Sequence, residues 1–150
     1  MKRIFALSSI LLFFATPAFA DGGGGFNNSS KVRDVPEEIV KLVEQQRYER
    51  AVSRLKKFTR REKDNADAWN YLGYSYRKTG NLEDSLSAYK KALAIDGEHL
   101  GANEYLGELY IMMAQPDDAR KQLKKLARIC GNCDQFKKLE TVINDYENNS

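Results

Sequence analysis

Two cysteines stand three positions apart near the carboxyl end, in Cys130-Gly131-Asn132-Cys133, and no other group in the chain has a type and spacing that suggests chemistry of its own. Joined, they close a short corner, because Gly131 and Asn132 tolerate the positive φ that ends a helix. An even cysteine count in an exported chain favours that oxidised state. Reduced, one thiolate could be stabilised by the amino terminus of a following helix and serve thiol-disulfide exchange. Against exchange, Asp134 sets a negative charge beside Cys133, and no thioredoxin-like βαβ pattern surrounds the pair. Zinc needs four ligands, and the chain adds one histidine, His99, 31 positions before Cys130. Haem attachment of the c type needs His after the second cysteine, where Asp134 stands. A structural bridge worth about 2 kcal/mol, pinning the last helix, is the favoured reading, with exchange as its rival.

No further catalytic set emerges. The sequence has no Gly-x-Ser-x-Gly and no His-Glu-x-x-His, and the glycine run at 22–25 lacks the Lys and Ser/Thr of a phosphate loop. A single histidine leaves few candidates for a general base, so neither enzyme activity, a cofactor nor a metal is expected.

What must position these residues is a repeat. Residues 66–133 divide into two copies of a 34-residue pattern, starting at Ala66 and Leu100, which stack Leu72 on Leu106, Gly73 on Gly107 and Tyr76 on Tyr110. A fixed period of this length is the signature of a helical array. One period earlier, from Val32, a weaker copy places Ala51 on the slot of Ala119.

The pattern resembles the tetratricopeptide repeat (TPR), with its Trp, Leu-Gly, aromatic, Ala, aromatic, Ala and helix breaker. The first copy fills those slots with Trp69, Leu72, Gly73, Tyr76, Tyr89, Ala92 and Gly97, and with Ser85 where Ala is usual. The second has Asn103 in place of the Trp, then Leu106, Gly107, Tyr110, Ala119, Leu123, Leu126 and Gly131. The resemblance, over Val32 to Cys133, implies an all-α fold: a right-handed superhelical stack of about three helix hairpins closed by a capping helix. It also implies that Gly73 and Gly107 lie where the two helices of a hairpin meet. Ligands in this family are usually extended peptides or helices held on the inner wall. Matching slots would put Asn70, Tyr74, Arg77 and Lys78 of the middle repeat there, and Glu104, Glu108, Ile111 and Met112 of the third. The basic clamp that some family members close on an acidic carboxyl-terminal peptide is absent at these slots.

Seven helices are expected. The first starts at Pro36 and its partner covers about 48–61; the later pairs cover about 66–79 with 82–95 and 100–114 with 116–129. Over 134–146, Phe136, Leu139, Ile143 and Tyr146 share one face, as a solenoid cap requires. Trp69, Tyr76 and Tyr89 read as core.

The amino end, MKRIFALSSILLFFATPAFA, pairs Lys2 and Arg3 with an apolar run and Ala18-Phe19-Ala20, which reads as a secretory signal cut after Ala20. The run is too short for a membrane span of about 20 residues. Residues 21–33 read as a flexible tail, and 34–147 as the repeat domain, with repeats at about 32–65, 66–99 and 100–133 and the cap at 134–147. Losing Lys2 and Arg3 leaves 22 of the 24 basic residues against 21 acidic ones, a charge of +1. Nothing in that balance draws the protein to nucleic acid or anionic lipid. The expected function is a non-enzymatic periplasmic scaffold that binds another protein or peptide, with self-association possible through an uncovered end. The alternative is a thiol-disulfide accessory factor using Cys130 and Cys133.

Overall fold

The computed structural model describes residues 33–149; the expected signal and all but the last residue of the expected tail lie outside them. The described residues form seven helices and no strand. These are α1 (Glu37–Glu44), α2 (Tyr48–Arg61), α3 (Ala66–Lys78), α4 (Leu82–Ile95), α5 (Leu100–Met112), α6 (Pro116–Cys130) and α7 (Asp134–Asn148). The helices α1, α3 and α5 each pair with the even one after them, successive pairs stack, and α7 packs on the last pair, so the architecture is an all-α superhelical array.

The period appears in the backbone as well as in the residues. Asn65 and His99, one repeat apart, cap α3 and α5: Asn65 Oδ1 accepts the Ala68 N–H at 2.7 Å, and His99 Nδ1 accepts that of Ala102 at 3.2 Å. The other ring nitrogen of His99, Nε2, lies 3.0 Å from Asp67 Oδ1, which ties the third repeat to the second. At the corner inside each hairpin Gln46, Gly80 and Ala114, again one repeat apart, have φ of 58°, 78° and 56°. Only glycine adopts this region without strain, so the two non-glycine residues each carry a cost of about 1–2 kcal/mol that the surrounding packing holds in place.

One apolar spine follows the stack. Ile39, Val43, Ala51, Leu55, Phe58, Ala68, Leu72 and Ala88 are buried together across α1 to α4, with Trp69 and Tyr76 packed at their edge. Tyr89, Leu106 and Leu109 continue it, and Ala119, Leu126, Leu139 and Ile143 finish it under α7. Tyr89 is fully buried, whereas Trp69 stays half-buried and donates its indole N–H to the Lys63 carbonyl at 2.8 Å.

Gly73 behaves as expected: a Cβ there would stand 2.6 Å from Cδ1 of Tyr89, on the other helix of its hairpin. Ser85, in the usual Ala slot, earns its place by donating to the Gly73 carbonyl at 2.8 Å. Gly107 departs from expectation. The side chain filling its notch is Leu139, from α7 rather than from its hairpin partner α6. The slot that holds Tyr89 in the middle repeat holds the shorter Leu123 in the third, and it is α7, packed directly on α5, that brings a side chain to the notch.

Cys130 ends α6, Gly131 turns the chain at φ 67°, and Cys133 stands just before α7, with the two sulfurs joined at 2.07 Å and the Cα atoms 5.7 Å apart.

Candidate functional site: the inner wall

Residues one period apart on α3 and α5 share a position on the wall, so Asn70 matches Glu104, Tyr71 matches Tyr105, Tyr74 matches Glu108, Arg77 matches Ile111 and Lys78 matches Met112. The structure treats these pairs very differently. Tyr74 and Tyr105 meet with ring centres 5.1 Å apart, and Tyr48, at the start of α2, meets Tyr74 edge-on at 6.0 Å. Arg77 lies against both Tyr74 and Tyr105, its guanidinium carbon 5.4 and 5.5 Å from the two ring centres, while its Nη1 reaches Glu108 at 2.6 Å. Burial opposes the Arg77 charge, but Tyr89 and Glu108 beside it hold the pKa above its usual value.

Arg77 and Glu108 were expected to offer opposite charges to a ligand. Instead they pair with each other across α3 and α5, with side chains 10% and 19% exposed, and so act as an internal tie. Asn70 and Glu104 were also expected on the open wall, and both are buried, at 8% and 3% exposure. Asn70 faces the first turn of α5 beside Gly101. Glu104 lies under α7, where Lys138 Nζ comes to 3.9 Å. Burial pushes the Glu104 carboxyl up to about 7, with Lys138 opposing the rise and Glu108 adding to it. Ile111 is half-buried against the cluster that α6 and α7 share. Of the eight positions, Lys78 and Met112 are exposed and Tyr74 is half-buried at the surface.

Below Tyr74 the wall opens into a depression of about 280 Å³, floored by Val43 and lined by Glu44, Gln46, Tyr48, Tyr71, Tyr74 and Tyr105. Tyr48, Tyr71 and Tyr105 were missed in the sequence. The last two were accessible to it, since they occupy the same slot of successive repeats. Tyr48 has no such counterpart, because Leu82 and Pro116 occupy its slot in the later repeats.

Among the described residues no group of three or more His, Cys, Asp or Glu could hold a metal ion, and no helix is long and apolar enough to cross a membrane. What this wall can do is bind, through aromatic faces, an acid and two exposed flexible side chains.

A stack of helix hairpins with a side-chain-lined inner wall is a helical repeat solenoid. Family models of the tetratricopeptide repeat match residues 40–99 and 76–143, and the chain belongs to that family. It is 28% identical over 68 residues to Tetratricopeptide repeat protein 1 of Schizosaccharomyces pombe, a match spanning 45% of this chain and 6% of that protein. The fold is similar to the second TPR domain of human RPAP3, solved in complex with an HSP70 peptide, with a TM-score of 0.66 at 15% identity over 73% of this chain and 89% of that one. It is also similar to the Yersinia enterocolitica type III secretion chaperone SycD in complex with a peptide of the translocator YopD, with a TM-score of 0.65 at 14% identity over 75% and 86% of the two chains. At such identities the likeness is one of fold.

Proposed function

We propose that this chain is a non-enzymatic scaffold that holds a partner polypeptide along its inner wall, and that it works in the bacterial periplasm after export. The observation that carries the reading is the open, tyrosine-lined depression on that wall, which also carries the exposed Lys78 and Met112. Peptide complexes of RPAP3 and SycD, built on the same fold, support it. The charged amino-terminal signal pattern supports export, and an exported location supports Cys130 and Cys133 acting as a structural bridge at the corner before α7.

Photo-crosslinking residues at positions 78 and 112, compared in native cells with positions 57 and 90 on the second helices of their hairpins, test the scaffold reading. A discrete adduct from the inner positions alone is expected. Equal crosslinking from both faces would refute it. Amino-terminal sequencing of the mature protein should find Asp21 first.

A further inference from the structure

We propose that the depression below Tyr74 is a socket for one cationic side chain, a lysine or arginine, carried by the bound polypeptide. The proposal rests on the scaffold reading and names the chemistry that reading leaves open.

The walls are the first reason. Four tyrosines from α2, α3 and α5 converge there, and an aromatic face carries the negative part of the ring quadrupole, which attracts a cation within about 6 Å of the ring centre. This protein already uses that arrangement once, immediately alongside: Arg77 lies against Tyr74 and Tyr105 with Glu108 as its acid. The depression shares the Tyr74 and Tyr105 rings with that arrangement and adds those of Tyr48 and Tyr71 and a second acid, Glu44.

The acid is the second reason. Glu44 is the only charged residue lining the depression, is exposed, and has no ion-pair partner among the described residues. Its slot holds Lys78 and Met112 in the later repeats, so the architecture does not require a carboxylate there. The nearest cations do not reverse the sign of the site. Arg77 is neutralised by Glu108, and Lys78, 5.5 Å from the Tyr74 ring, is not among the lining residues.

The third reason is size, since about 280 Å³ lies just under the range of about 300–1,000 Å³ typical of drug-sized ligands and suits a single side chain.

The test is a titration of the chain, ¹³C-labelled on its tyrosine rings, with N-acetyl-arginine amide, N-acetyl-lysine amide, N-acetyl-norleucine amide and N-acetyl-glutamate amide. The two cationic amides should shift the Tyr71 and Tyr105 ring signals saturably and bind at least about threefold more tightly than the norleucine amide. Glu44→Gln, at an exposed position where the fold is not at risk, should bring the cations down toward the norleucine value. Equal binding of norleucine, tighter binding of glutamate, or no loss in Glu44→Gln would overturn the socket. If crosslinking from positions 78 and 112 persists while cation selectivity is absent, the socket fails and the scaffold stands. If both are absent, the scaffold reading falls with it.

Discussion

Replacing Glu104 with Gln should make this protein more stable in mild alkali and leave it unchanged in acid. Glu104 is 3% exposed beneath α7, and its nearest cation, Lys138, is 3.9 Å away with a side chain 62% exposed. Burial raises the carboxyl from 4.5 to about 7. Between those values the native state holds a proton that the unfolded chain has lost. Stability therefore falls as pH rises through this window: the contribution of protonated Glu104 is complete below about 4.5 and gone above about 7. At about 1.4 kcal/mol for each pH unit, the ionised carboxylate costs at most about 3 kcal/mol, and access of water around Lys138 brings this to about 2. Gln keeps the shape and removes the charge. For a domain of this size the gain at pH 8.5 should appear as a rise in Tm of roughly 8 °C. Urea or thermal unfolding of both proteins at pH 4.5 and 8.5 measures it. A variant no more stable than the parent at pH 8.5, or a difference of equal size at both pH values, would show that the buried carboxylate is not what the α5–α7 contact works against.

Gly73→Ala should cost about 2 kcal/mol in urea unfolding despite the better helix propensity of alanine, because the Cβ meets the fully buried ring of Tyr89. Gln46→Gly and Ala114→Gly should each raise stability by about 1 kcal/mol, since both residues hold positive φ; a loss in either would mean that its side chain supplies more than the strain removes. Leu139→Ala should destabilise by about 2–5 kcal/mol and free α7, read as faster amide exchange in that helix and at Glu104.

The array itself was legible because its cause is local and repeated. A 34-residue period carries the helix pairs, the Gly73 notch, and the Gly80 corner, and α4 runs over the residues expected of it. Misplacements came where a later element decides. Asn70 and Glu104 sit in slots that look solvent-facing from repeat geometry, yet Asn70 faces the first turn of α5 and Glu104 is covered by α7. A covering helix is a tertiary neighbour, which polarity patterns within a repeat do not register. Gln46 and Ala114 show a related blindness. Both take the glycine conformation without being glycine, so the corner is enforced by the stacked hairpins rather than announced by the residue. Tyr71 and Tyr105 are the opposite case, since the register paired them and only their convergence on one depression, with Tyr105 against Tyr74, was hidden.

The seating of Leu139 in the Gly107 notch has a bearing on growth of the solenoid. A further hairpin arriving after residue 133 would find its docking ground occupied, and could attach only by evicting a helix whose leucine is already locked in. The carboxyl end of the ladder therefore carries its own stopper, and lengthening this protein at that end would first require removing it.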